Sequence, residues 1–585
     1  SILATHRRIP TDYVSPGVTY GPAPVGDADE KIAFVSVPHV LAMESDWQYG
    51  PSPRVRTELF SVSAGESNTG AFVFPLEGGG GGKFDMDWVT DALQSARRFW
   101  SDYPVMPVEW QIPDSRVMDM VVASARNILQ AREKKDGVAE FQVGPTCYRG
   151  LWVVDGHFIL EAARYLGHAK AGEQGIEALK KRVAPDGSIF QLKGHLKETG
   201  ISIATLIRQC ELDDDLDRLE SLWEIILNGV SFIRDMREAS KKAGHSAPEH
   251  GLMPPSFADG GLGGIRAEYT TTLWTLVGLK WAADAAQKLG RTSDHEIIAA
   301  EFDDLMDVFR QKAVRDFSIS PDGTQYLPMA MPGGGSDHIH LVEHGGEVDP
   351  YYRINPGTAT WALAHAIYPG ELFEPDDPII KNLCDFLDVV DEEEGIPANT
   401  GWLPHNAVWN YSASFYAHVW LYAGRPDKAI DYLYAFANHS SPTRVWREEQ
   451  SLRTASHEQI VGDMPHNWAS AEFVRLTRNL LVFERGNTLE LLAGLPAEWL
   501  IPGETICLEH TPTRFGPVSM VLAIGEDGIA SLDISVDSDW SQPAGRIDLN
   551  VPEGYVIEGI NTLVRRNELP FADHHIRFKL ERSDP

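Results

Sequence analysis

Twelve amphipathic segments, joined alternately by short and long connections, constrain this chain more than any other feature. Apolar residues recur at three- and four-residue spacing over 115–133, 152–167, 171–183, 198–211, 214–239, 267–289, 293–315, 355–367, 376–390, 410–424, 426–438 and 466–483. The connections after 152–167, 198–211, 267–289 and 410–424 are short. Those after 115–133, 171–183, 214–239, 293–315, 376–390 and 426–438 are long and rich in Gly, Pro, Trp, His and acids. In an array of helical hairpins this alternation gathers the long loops at one end. Twelve such helices fit a closed ring, an (α/α)6 toroid. The inner helices would be 152–167, 198–211, 267–289, 355–367, 410–424 and 466–483, with their N-termini at the long-loop end. Small residues in these segments suit a crowded centre: Ala162, Ala163, Gly278, Ala359 and Ala362. A solenoid would show a repeat of roughly 30 to 50 residues, and none is visible.

A chain of 585 residues is too long for one hydrophobic core. The expected class is mainly α: a β-rich region over 1–110, the toroid over 111–486 and a C-terminal β domain over 487–585. Lys31–Val37 and Gly70–Pro75 read as strands in the first region, and five consecutive glycines, Gly78–Gly82, as a loop. Thr488–Leu492, Ser519–Ala523, Ala530–Val536 and Ile547–Val551 read as strands in the last. Acidic residues outnumber basic ones 84 to 51, for a net charge of −33. That argues against a nucleic-acid partner and favours a neutral or cationic substrate over a polyanion. The 16 tryptophans have two readings, core filling and flat platforms for sugars. Cys147, Cys210, Cys384 and Cys507 are scattered, with neither disulfide-scaffold nor zinc spacing. Isolated thiols suit the cytoplasm or the periplasm, and a start at Ser1 leaves open a processed leader. No apolar run approaches the ~20 residues that cross a bilayer. Oligomeric state is not indicated.

The long loops carry the chemistry. Before segment 152–167, Tyr148-Arg-Gly-Leu-Trp152-Val-Val-Asp155 sets a ring and a carboxylate at a helix start, as substrate binder or as cap. The next such loop holds His195, Lys197 and Glu198, where Glu198 also complements the helix dipole. The following one holds Glu249, Asp259, Glu268 and Tyr269, with Gly260, Gly261, Gly263 and Gly264 permitting close backbone approach. Glu268 could only cap a helix, and Asp259 could only close an Asx turn. Asp337, His338, His340, Glu343, His344, Glu347 and Asp349 form a metal-like cluster whose spacing matches no known cation loop, so no metal or other cofactor is expected. Trp402, His405, Asn406, Trp409 and Tyr411 precede segment 410–424. The last loop reads Trp446-Arg447-Glu448-Glu449-Gln450, then Asp463, His466, Asn467 and Trp468.

Carboxylates on facing loops suit glycosidic-bond hydrolysis. One acid protonates the leaving oxygen, and a second, on the other face, activates water. No nucleophile elbow, phosphate loop or dinucleotide motif offers a competing chemistry. Over residues 110 to 500 the chain resembles the six-hairpin glycosidases, which include glucoamylases, α-L-rhamnosidases and trehalases. The resemblance is carried by Tyr148–Gly156, by Glu268-Tyr-Thr-Thr-Thr-Leu-Trp274, and by Trp446–Gln450 with Pro465–Ser470. It implies a general base at Glu449, with Glu448 next to it, and a general acid among Glu268, Asp259 and Glu249. It also implies a pocket-shaped, exo-acting, inverting enzyme acting on an oligosaccharide or glycoside. The Trp-Glu-Glu pattern of glucoamylases is missing before the third inner helix, and the acidic pattern of rhamnosidases is missing after Asp155. A polysaccharide lyase using His405, Tyr411, His466 and Asn467, a phosphorylase using Arg444, Arg447 and His466, and a non-catalytic sugar-binding protein are the alternatives.

Overall fold

The computed structural model describes residues 84–585, apart from 136, 146–147, 243, 260–264, 320–322, 333–359, 391–394, 398–406, 452–459, 538–539, 541–543, 552–553, 559–565 and 581–585; before residue 84 it describes short strands and little else. The chain divides into two units, Ser1–Val105 and Met106–Pro585.

Among the described residues the first unit has two small antiparallel sheets. One joins Thr19–Tyr20, Leu41–Asp46 and Ser52–Thr57; the other joins Val25–Gly26, Ile32–Val37 and Ala71–Val73. It also contains a helix that a purely β reading of 1–110 misses, α1 (Met86–Asp102). The Asp85 carboxylate caps it, accepting the Trp88 N–H at 2.8 Å. The abundance of Gly and Pro before residue 83 obscured that cap and the amphipathic pattern behind it.

Among the described residues the second unit has twelve α-helices, each overlapping one of the twelve amphipathic segments. They are α2 (Ser115–Gln130), α3 (Val153–Tyr165), α4 (Ala169–Lys180), α5 (Lys197–Glu211), α6 (Leu216–Lys242), α7 (Thr270–Lys288), α8 (Thr292–Asp316), α9 (Trp361–Ile367), α10 (Pro378–Val390), α11 (Ser412–Tyr422), α12 (Pro426–Asn438) and α13 (Asn467–Leu481). Helices α3, α5, α7, α9, α11 and α13 each pack on the next, and α13 packs back on α3, so the ring closes. The other six helices lie outside these. The inner helices are buried almost all round, whereas α2, α4 and α12 bury one stripe and expose the other. The chain is therefore an (α/α)6 toroid. Two glycines allow α5 and α7 to cross closely: a Cβ on Gly278 of α7 would stand 2.6 Å from the Gly200 carbonyl oxygen of α5.

Aromatic rings fill the centre. Phe158 stacks on Trp468 (5.6 Å, 6°), and His365 packs among Phe158, Trp274 and Phe415. Nearer the C-terminal ends of these helices lies a buried ion network. Glu161 accepts from Arg208 Nε at 2.8 Å and from Arg475 Nε at 2.5 Å, and Arg208 also reaches Glu484 at 2.8 Å. After α13 come two sheets. One orders Val482–Arg485, Thr488–Leu491, Arg546–Asn550 and Arg566–Leu569. The other orders Tyr555–Ile557, His574–Leu580, Ile529–Val536, Val518–Ile524, Thr505–Thr511 and Trp110–Gln111. Burial alternates residue by residue along Val518–Ile524, as a half-buried strand requires.

Candidate active site

The inner helices bring their first turns to one end of the ring. Asp155 lies in the first turn of α3, behind the N-cap Trp152. Lys197 and Glu198 open α5. Glu268 stands just ahead of α7, Tyr411 occupies the N-cap position of α11, and His466 that of α13. Positive helix-dipole ends thus point at the place where carboxylates gather.

Those carboxylates form two groups around Asp155. In the first, buried Lys197 pairs with Asp259 Oδ2 at 2.5 Å and donates to the Phe257 carbonyl at 2.8 Å. His195 stacks on Phe257 (4.9 Å, 12°), with Nδ1 3.7 Å from both Glu198 Oε1 and Asp259 Oδ2. Glu198 Oε2 accepts the Gln191 N–H at 2.6 Å. Asp259 has a left-handed backbone (φ +67°) and keeps 23% of its side chain exposed. In the second group, Glu448 and Glu449 are both buried. Glu449 opens the strand Glu449–Ser451, which lies between Ala407–Trp409 and Ile460–Val461. Glu448 donates its N–H to the Asp463 carbonyl at 3.2 Å, and Asp463 Oδ2 accepts the Tyr148 N–H at 2.8 Å. Gly462 has φ +74°, and a side chain there would run into Glu448.

Electrostatics join the groups. Burial pushes the Asp155 carboxyl up to about 8, with the charges of Asp259 and Glu198 adding and Lys197 opposing. Burial also pushes Glu448 well above the carboxylate range; Glu449 adds most among its neighbours, Asp155 and Asp463 add further, and a Tyr148 hydrogen bond opposes. Asp155 therefore feels the first group and is felt by the second. Burial lifts Glu198 to about 7 against the pull of Lys197. Burial and Lys197 hold the His195 imidazole down at about 4, and burial holds His466 at about 3. A mouth with several carboxylates and Lys197 as its buried ammonium can keep one acid protonated while another stays charged.

The other residues singled out from the sequence divide by environment. Both Glu268 oxygens accept the Thr271 N–H at 3.1 Å, so this carboxyl anchors the start of α7 while lying in the field of Lys197. Trp152 is half-buried and edge-on to Tyr148 at 5.1 Å. Tyr269 turns outward and donates to Asp316 Oδ2 at 2.6 Å. Trp446 lies fully buried between Phe436 and Phe473, its N–H on the Phe436 carbonyl. Trp409 and Trp468 belong to the central aromatic cluster. Asn467 ties α13 to residues 142 and 143, and Arg447 donates to the Gly462 carbonyl at 3.2 Å. Glu249 lies beside Ser240 and Lys312, on the outer helices. Trp402, His405 and the acidic, His-rich stretch 337–349 fall outside the described residues. Phe257 enters the site without having been singled out, and Tyr148 and Asp463, named only as parts of their loops, enter it through a contact with each other. Tyr148 and Asp463 are 315 residues apart, and no local spacing announces their contact.

Among the described residues no helix is long and apolar enough to cross a membrane. No protein-family model and no curated protein matches the chain. Solved structures similar to it include a GH78 family rhamnosidase of Bacillus sp. GL1 (12% identity, TM-score 0.49, covering 76% of this chain and 43% of that one). A bacterial glucoamylase complexed with acarbose matches at 15% identity and TM-score 0.44, over 70% of this chain and 62% of that one. A wild-type glycosidase matches at 13% and 0.43, over 63% of this chain and 97% of that one. This chain thus spans under half of the rhamnosidase it resembles.

Proposed function

We propose that the chain is a glycoside hydrolase acting on an oligosaccharide or glycoside, exo-acting and inverting, through a pair of carboxylates. The observation that carries this is that Asp155, in the first turn of an inner helix, lies in the field of Lys197, Glu198 and Asp259 and itself acts on the buried Glu448 beside Glu449 and Asp463. The similar solved structures, a rhamnosidase, a glucoamylase and a glycosidase, support the hydrolase class.

In this reading Glu448 and Glu449 work as a unit. Burial next to another carboxylate keeps a proton on Glu448, so the pair holds one negative charge, and Glu449 is the base that activates water. The donor comes from the facing segment. It is Asp259 or Glu268: Asp259 is partly open to solvent but ion-paired with Lys197 at 2.5 Å, whereas burial raises the Glu268 carboxyl while its oxygens accept the Thr271 N–H. The donor's proton goes to the glycosidic oxygen as the anomeric C–O bond breaks. Water adds its oxygen to the anomeric carbon from the opposite face and gives its proton to Glu449, inverting the configuration. Asp155, protonated at neutral pH, bonds a sugar hydroxyl, and Trp152 offers a ring to a sugar face. The negative mouth disfavours uronates, which separates this reading from a lyase.

The test is a panel of oligosaccharides and aryl glycosides incubated with wild type, Glu449→Gln, Glu448→Gln and Asp259→Asn, with the first-formed anomer read by NMR. Inverted product, with a loss of about 10³-fold or more in folded Glu449→Gln, is the expected result. Asp259→Asn should spare substrates whose leaving group needs no proton. An unsaturated product, phosphate dependence or full activity in both Glu variants would overturn the mechanism.

A further inference from the structure

Resting on the hydrolase reading, we propose that Lys197 is a positioning residue: it touches no substrate, fixes His195 as the tautomer with its proton on Nε2, holds the Asp259 carboxylate, and acts on the proton donor through its charge. Among the described residues Lys197 is the only buried lysine, 1% exposed. An ammonium carries three protons and accepts nothing. All three have takers: Asp259 Oδ2 at 2.5 Å, the Phe257 carbonyl at 2.8 Å and His195 Nδ1 at 3.4 Å. None is left for a sugar hydroxyl.

The third of these bonds decides the state of the imidazole. The ring is neutral at neutral pH, because burial and Lys197 hold it at about 4. An ammonium can only donate, so Nδ1 accepts, and the proton of the neutral ring sits on Nε2. Stacking on Phe257 (4.9 Å, 12°) sets the ring plane, and the Phe257 N–H is in turn tied to the Gly194 carbonyl at 3.1 Å. Glu198 Oε1 and Asp259 Oδ2 are each 3.7 Å from Nδ1, too far for a hydrogen bond. An imidazole beside a proton donor would ordinarily compete for the proton. With Nδ1 engaged by an ammonium, this one does not.

The same charge stands among carboxyls from several elements. Burial raises Asp155 on α3, Glu198 on α5 and Glu268 ahead of α7, and Lys197 pulls each of them back down. Asp259 pairs with it directly. Arg182, in the turn after α4, also faces Glu198 and is itself held by Glu140 at 3.2 Å. Both candidate donors, Asp259 and Glu268, thus lie in the field of Lys197. At Glu448, next to the base, burial leads and the charges that add to it are those of Glu449, Asp155 and Asp463. Lys197 therefore bears on the donor's side of the reaction.

The experiment is the pH dependence of kcat/KM for wild type and Lys197→Met on the best glycoside of the panel. The alkaline limb records the donor losing its proton, and the acid limb the base gaining one. Without a neighbouring cation a carboxyl keeps its proton to higher pH. Lys197→Met should therefore move the alkaline limb up by about one pH unit or more, and the acid limb by less than about half of that. A lysine that merely supports the fold would lower the whole profile without moving the alkaline limb, and that result overturns the proposal while the hydrolase reading stands. The tautomer is read separately in wild type, from two-bond nitrogen–proton NMR correlations of histidine-labelled protein, with His195 assigned by its loss in His195→Gln. A bare Nδ1 and a protonated Nε2 at neutral pH are expected. An imidazolium, or a proton on Nδ1, overturns the proposal whether or not Lys197→Met folds. Failure of wild type to turn over any glycoside in the panel overturns the hydrolase reading, and the role of Lys197 in the reaction with it.

Discussion

Replacing Asp155 by Asn should stabilise the protein at neutral pH. In the fold, burial raises this carboxyl from its ordinary range to about 8. In the unfolded chain it ionises near 4. The sign follows from linkage. A carboxyl whose pKa is raised by folding costs nothing below its unfolded pKa; the cost grows as pH rises and is complete above the folded pKa. At pH 7 the gap is about three pKa units, or about 4 kcal/mol as an upper bound, since each unit is worth 1.36 kcal/mol. An amide keeps the shape and removes the ionisation. Urea unfolding followed by tryptophan fluorescence should show Asp155→Asn unfolding at higher urea than wild type at pH 7 and at 8. The two midpoints should converge near pH 4. A variant no more stable than wild type at pH 7, or a difference that persists unchanged at pH 4, would refute the assignment of a strained, protonated acid. Such a carboxyl has been placed where folding alone would not put it, which is the mark of a group kept for chemistry.

Six residues further along the same helix, Glu161→Gln should do the opposite. Burial alone would raise the Glu161 carboxyl, but Arg475 and Arg208 prevail and hold it well below the carboxylate range. Its stabilisation is therefore present above about pH 4 and fades in acid. The variant should lose about 3–5 kcal/mol at pH 7, measured by the same unfolding, and the loss should shrink as pH falls below about 4. Gly278→Ala should destabilise by about 1–3 kcal/mol, because the new methyl meets the Gly200 backbone of α5, which cannot swing aside as a side chain could; an unshifted melting curve would contradict that crossing.

The ring was legible because its information is periodic and repeated. Each inner helix needs apolar residues all round and each outer helix a stripe, and the loops alternate in length for a geometric reason. The alternation predicted which helices lie inside, and the closed circuit of contacts from α3 to α13 and back agrees. Helix α1 was not legible from composition, since Asp85 and its periodic pattern follow directly on a run of glycines. The site was legible as a set of loops and not as a set of roles. Trp446 and Trp152 are the same residue type in equivalent loops, yet one is walled in by Phe436 and Phe473 while the other keeps an open face. Glu268 and Glu448 are both buried carboxyls at loop ends, yet the first has its oxygens taken by the Thr271 N–H and the second faces another carboxylate. What separates them is contact with residues scores or hundreds of positions away, such as Tyr148 with Asp463, and no local spacing encodes that. Helix α3 carries the lesson within one element. Asp155 and Glu161 differ by six residues and share the same burial. At Asp155 burial prevails, with the mouth's carboxylates adding, and the acid is driven to hold a proton; Glu161 meets two guanidiniums that outweigh burial and is driven to lose it. The partner, supplied by the closure of the ring, decides which acid can do chemistry.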